Sequence, residues 1–118
     1  MHSSKPITYE RLIPSLLERI PEFQPDSVDV DERITYLVFD EFVNFLLERD
    51  PKKESVLLQR GFGFLEELSA SHEREVRMLL RDIAWAIAGN HNVAAVLPIL
   101  PPQLLNLVKK SPAGKGLS

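Results

Sequence analysis

The chain has 118 residues, enough for one domain, and its 44% hydrophobic and 26% charged content is a globular composition rather than a disordered one. Seventeen acids against 14 bases leave a net charge of −3, which excludes a strongly basic nucleic-acid binder on bulk charge. No apolar run approaches the ~18 residues of a membrane span. The opening Met1-His2-Ser3-Ser4-Lys5-Pro6 has no apolar signal core, and there is no cysteine, features that suit a cytoplasmic protein without disulfides.

The periodicity is helical almost throughout. Leu12, Ile13, Leu16, Leu17 and Ile20 recur at three- and four-residue spacing and predict a first helix over 8–20. Pro14 either kinks it or falls in its first turn, and Pro21 closes it. Residues 21–33 read as a loop, with acids at 22, 26, 29, 31 and 32 and no base between positions 22 and 32. A second helix over 32–49 is apolar nearly all round and is expected at the centre of the fold. Its polar stripe is Tyr36, Asp40, Asn44 and Glu48.

Asp50-Pro51 is a start signal for a third helix running to about Ser69, with Val56, Leu57, Arg60, Phe64, Leu65 and Leu68 as its stripe. Gly61 and Gly63 inside it point to close approach of another helix or, alternatively, to a hinge. Ser71 is expected to open the fourth helix, with Glu73 or Glu75 compensating its free amides. Its stripe is Val76, Leu79, Leu80, Ile83 and Ile87, and Gly89 is expected to close it in a left-handed turn. A short apolar helix over 92–97, interrupted by Pro98, precedes a last helix from Gln103 to Lys110. Residues 1–7 and 111–118 read as loose ends, so the domain is placed at 1–110 with a tail from 111 to 118. Phe45-Leu46-Leu47-Glu48 and Phe64-Leu65-Glu66-Glu67 echo one another at a 19–20-residue offset, short for a helical-pair repeat; shared helix-turn chemistry is the first reading and a degenerate two-repeat solenoid the alternative.

Catalytic patterns are missing. His72-Glu73 begins like a zinc-protease motif, yet position 76 is Val, so no second histidine follows one turn later. There is no Gly-x-Ser-x-Gly elbow. The adjacent carboxylates Asp31-Glu32, Asp40-Glu41 and Glu66-Glu67 point about 100° apart on a helix and do not converge. Asp26, Asp29 and Asp31 lack the glycine of a calcium loop. No catalytic residue, metal site or cofactor is therefore expected. Arg74, Arg77 and Arg81 share a face one turn before Trp85, an arrangement open to nucleic acid. The interleaved Glu73, Glu75 and Asp82 read instead as partners in a solvated ion-pair face, with Glu73–Arg77 as an i,i+4 pair. Trp85 reads as the edge of the core, or as an exposed contact residue.

The charge is unevenly spread. Residues 1–50 carry net −6 and residues 51–118 net +3. The acidic half joins the 22–32 loop to the Tyr36–Asp40 stripe, a negative surface with an aromatic that suits a basic protein partner.

Leu12 to about Leu107 resembles a group of small bacterial all-helical proteins. The resemblance rests on Ile20-Pro21-Glu22-Phe23, Leu37-Val38-Phe39-Asp40-Glu41-Phe42, and Phe64-Leu65-Glu66-Glu67-Leu68 with the charged turn after it. Some of those proteins look like immunity partners of interbacterial toxins, and the resemblance implies that role here.

The expected fold is a single compact all-α domain of five or six antiparallel helices, an irregular HEAT-like curl being one way to arrange them. Phe39, Phe42, Leu46, Leu65, Leu79 and Ile83 are expected in its core. The expected function is a non-enzymatic protein-binding module that neutralises a basic toxin domain through Glu22, Asp26, Asp29, Asp31, Glu32, Tyr36 and Asp40, with no nucleic-acid or membrane partner. Two alternatives stand beside it: an adaptor that dimerises through Met78 and Trp85, and a small hydrolase with a cryptic pocket.

Overall fold

Proline placement determines where the first helix begins. In the computed structural model the described residues are 7–25 and 32–112. A 3-10 turn at Tyr9–Arg11 leads into α1 (Leu12–Arg19), so Pro14 lies in the first helical turn, where its missing N–H breaks no bond. The remaining helices are α2 (Glu32–Leu47), α3 (Ser55–Leu68), α4 (Arg74–Ala88), the single turn α5 (Val93–Val96) and α6 (Pro102–Lys110), with a 3-10 turn at Leu97–Ile99. No strand occurs among the described residues. No helix among them is long and apolar enough to cross a membrane.

The helices stack as a ladder. α1 lies on α2 and α3, α2 and α3 both lie on α4, and α6 closes the far side against α3 and α4. The radius of gyration is 13.6 Å and the extents are 36 × 33 × 29 Å, so the stack forms a single compact globule. All six residues expected in the core are buried.

Several details depart from the sequence reading. α2 is one-sided, since Leu37 is exposed and Phe45 only half-buried. The helix with the broadest packing is instead α4, against α2, α3 and α6. Its buried arc includes Ala84 and Ala88, small side chains that leave room for neighbours. Asp50-Pro51 opens a separate turn rather than α3. The Asp50 carboxylate accepts the Lys52 N–H at 2.9 Å and its carbonyl accepts the Lys53 and Glu54 N–H groups, after which the helix starts afresh at Ser55. Of the expected α3 stripe, Leu57, Phe64, Leu65 and Leu68 are buried, while Val56 and Arg60 face outward and Leu58 and Phe62 complete the buried side.

Ser71 lies before α4, not at its start; its hydroxyl accepts the Glu73 N–H at 3.1 Å. Gly89 ends α4 with φ −85°, in ordinary right-handed backbone, so no left-handed turn forms. Ile7 packs on the core rather than belonging to a loose end. Ser111, assigned to the tail, is buried with its hydroxyl donating to the Val108 carbonyl at 2.7 Å. Residues 1–6 and 113–118 lie outside the described residues.

The two helical glycines behave differently. A Cβ on Gly61 would meet Leu46 Cδ2 at 2.6 Å, so here α2 and α3 approach closely. A Cβ on Gly63 meets nothing within 4 Å.

An aromatic cluster ties the loop after α1 to the core. The Phe23 ring lies 5.1 Å from Phe42 and 5.4 Å from Phe45, and Phe39 stacks on Phe64 of α3 at 6.4 Å. Such pairs add roughly 0.5–1.5 kcal/mol beyond area burial. Phe23 thus sits in the core although it falls in a segment read as loop.

Three substitutions test this packing by urea denaturation. Gly63→Ala should stabilise by up to about 1 kcal/mol through helix propensity alone. Gly61→Ala should be neutral or destabilising, because buried Leu46 must shift, an overpacking cost of about 1–3 kcal/mol that offsets the propensity gain. Phe23→Ala should cost about 3–5 kcal/mol, as for a core phenylalanine; a loss below about 1 kcal/mol would mean that Phe23 is peripheral.

Candidate protein interface

The acidic residues singled out in the sequence divide between distinct surroundings. Glu22 is engaged internally. Its carboxylate takes both terminal nitrogens of Arg60, one at 3.1 Å, and Arg60 also donates to the Arg19 carbonyl at 3.3 Å. Hydrogen bonding to Arg60, helped by the Glu22 backbone N–H, holds the Glu22 carboxyl below its ordinary range. Asp26, Asp29 and Asp31 lie outside the described residues, and Glu32 opens α2.

Tyr36 and Asp40, one turn apart on α2, are brought to α4. Tyr36 lines a shallow depression of about 210 Å³ with Met78, Arg81, Asp82 and Trp85. Burial raises the Tyr36 hydroxyl above its ordinary value, with smaller contributions from Tyr9 and Asp82. Partial burial also raises the Asp40 carboxyl, and the charge of Asp82 adds to it. Leu37, on the same outward side of α2, is 54% exposed, Met78 51% and Trp85 43%. Trp85 is therefore an exposed residue rather than a core edge, and Arg81 lies 5.1 Å above its ring. The result is a face on which two carboxylates share one field beside two large apolar side chains, Met78 and Trp85. It is open to water, so it suits ion pairing rather than proton transfer in a dry cleft.

Asp82 was the residue missed. On α4 alone it reads as one acid among arginines, and only the register of α4 against α2 sets it near Asp40. On the other flank of α2, a depression of about 480 Å³ is lined by Glu22, Phe23, Gln24, Glu41, Asn44 and Glu48 among others. One Glu41 oxygen there is buried with no hydrogen-bond partner among the described residues.

The ion-pair face expected along α4 does not form. Glu73 instead accepts the Tyr9 N–H at 3.0 Å, tying the N-terminal segment to α4. No ion pair reaches Arg74, Arg77 or Arg81 among the described residues. Two acids of α3 near this side are also engaged. Glu66 accepts the Gln103 and Leu104 N–H groups at 3.0 and 2.8 Å, capping α6, and Glu67 pairs with Arg19. His72 and His91 are exposed, and no three His, Asp or Glu side chains among the described residues converge on a metal-sized point.

Comparison of the chain with protein-family models, with curated proteins and with solved structures finds no match.

The raised Asp40 carboxyl has a pH signature. Its pKa in the unfolded chain is the ordinary value, and the folded value is higher. The folded state therefore holds the proton to higher pH, and ionisation on raising pH through that window removes stability. Asp40→Asn should stabilise at about pH 7 by up to about 0.5 kcal/mol, the range of surface substitutions. The gain should disappear well below the ordinary aspartate value of about 3.9, where Asp40 is protonated in the folded and the unfolded chain alike. Denaturation midpoints of the two proteins at both pH values check this, and a difference independent of pH would refute it.

Proposed function

We propose that the chain is a non-enzymatic protein-binding module whose contact surface is the acidic side of α2 continued onto α4. The observation that carries this reading is the placement of Asp40 and Asp82 in one field, with Asp82 lining the same depression as exposed Met78 and Trp85. Large apolar side chains grouped with charges on a surface mark interaction sites, because covering them removes apolar area from water. Aromatic and methionine side chains are also enriched at protein interfaces. Two like charges in proximity repel, and a cation placed between them relieves the repulsion. A partner with lysine or arginine beside an apolar contact fits this chemistry.

The finer reading is an immunity protein, supported by the resemblance to immunity partners of interbacterial toxins. The partner is then a basic toxin domain, neutralised when the acidic surface covers its active site. The acids at 26, 29, 31 and 32 belong to this reading through their charge in the sequence, and Glu22, on the other flank of α2, contributes only when its pair with Arg60 opens. The exposed Met78 and Trp85 equally favour a second reading, a homodimer of an adaptor protein. Sedimentation of the isolated chain separates the two: a stable dimer that protects Trp85 from quenchers supports the adaptor.

The test is co-purification of the full chain with a candidate basic partner encoded beside it, followed by titration. Asp40→Lys with Asp82→Lys should lower affinity at least about tenfold, or about 1.4 kcal/mol, with helicity unchanged by circular dichroism. Asp29→Lys, Asp31→Lys and Glu32→Lys should weaken the same complex. Affinity should fall as pH drops through the raised Asp40 range, because a protonated carboxyl no longer pairs with a cation. Full affinity in the lysine variants would remove this surface from the interface.

A further inference from the structure

The other flank of α4 carries the opposite charge. A groove of about 520 Å³ runs between α4 and α6, and its lining includes His72, Arg74, Arg77, Arg81 and Lys110, with no carboxylate among its lining residues. In a chain of net −3 this is a local reversal of sign. The cations are uncompensated: none of Arg74, Arg77, Arg81 and Lys110 forms an ion pair among the described residues. Of the acids nearby, Glu73 accepts the Tyr9 N–H, Glu66 holds the start of α6 and Glu67 pairs with Arg19, while Glu75 and Asp82 of α4 lie outside the groove lining. The opposite wall, on α6, offers the side-chain amides of Gln103 and Asn106, and Met78, Leu80 and Leu107 supply apolar surface.

We infer that the groove between α4 and α6 binds an acidic segment of a partner protein. Arg74, Arg77 and Arg81 are spread over ~10 Å along the helix axis at 1.5 Å per residue. In an extended segment, carboxylates on alternate residues are spaced by ~6.6 Å, so two or three of them match this row. The two amides present donors and acceptors to the segment's main chain. The apolar residues take side chains between the acids. Nucleic acid fits less well: no aromatic ring lines the groove for base stacking, Trp85 lying outside it under Arg81. This inference goes beyond the proposed function and does not depend on it, since the two surfaces oppose one another in sign.

The experiment titrates the isotopically labelled full chain with an acetylated decapeptide in which glutamate alternates with leucine and serine, followed by NMR amide shifts. Saturable shifts confined to 74–81 and 103–110 are expected. Arg74→Gln with Arg77→Gln should weaken binding at least about tenfold. Gln103→Ala with Asn106→Ala should weaken it severalfold without any change in charge. Lys52→Gln with Lys53→Gln, an equal charge loss elsewhere, should change it less than about twofold. Asp40→Lys should not weaken it, which separates failure here from failure of the acidic face. Shifts absent from the groove, equal weakening by the lysine control, or tighter binding of a decathymidylate through the same residues would each overturn the inference.

Discussion

Packing of phenylalanine against phenylalanine is the constraint on which the other features rest. Phe39 and Phe42 on α2 meet Phe64 on α3 and Phe23 beyond α1, so one aromatic cluster joins three stretches of chain distant in sequence. Gly61 belongs to the same contact, because its missing side chain lets α3 approach Leu46 of α2. With α2 held by its Phe39–Phe42 side, its opposite side is directed to water. Leu37, Asp40, Asn44 and Glu48 are exposed for that reason. The candidate interface is thus a consequence of which edge of α2 the aromatic cluster takes.

α4 turns this arrangement into a surface with two signs. Its buried arc packs on α2, α3 and α6, which leaves its polar residues divided between the seam with α2 and the seam with α6. Asp82 meets the α2 seam, Arg74 and Arg77 the α6 seam, while Met78 and Arg81 border both. The net −6 and +3 of the two halves of the chain are therefore not kept apart as halves. Folding sets part of each side by side along one helix.

The distribution of partners among the acids is equally telling. Glu22, Glu66, Glu67 and Glu73 hold elements of the fold together, through Arg60, the α6 amides, Arg19 and the Tyr9 amide. Charged groups used this way contribute by satisfying helix ends and orienting loops more than by Coulomb attraction, which is weak for exposed pairs. Among the described residues, Asp40 and Asp82 take part in no ion pair of this kind, and the proposed function assigns them to a partner. Among the described residues no ion pair reaches the arginines of α4, and Glu73 is committed to the N-terminal segment.

The sequence by itself determined the all-helical class, because the apolar spacing of three and four residues admits no strand reading, and it determined the six core residues at the centres of the stripes. It also marked Tyr36 and Asp40 as an outward stripe. Phe23 was hidden in a proline-flanked loop, where no periodicity reports burial. Asp50-Pro51 carried a start signal that a closed turn satisfied locally, five residues before the helix. Only the tertiary structure decided that α4 rather than α2 has the broadest packing, that Asp82 stands near Asp40, and that Glu73 turns away from Arg77. Each of these depends on the register of one helix against another, and local spacing along a single helix carries no information about that register.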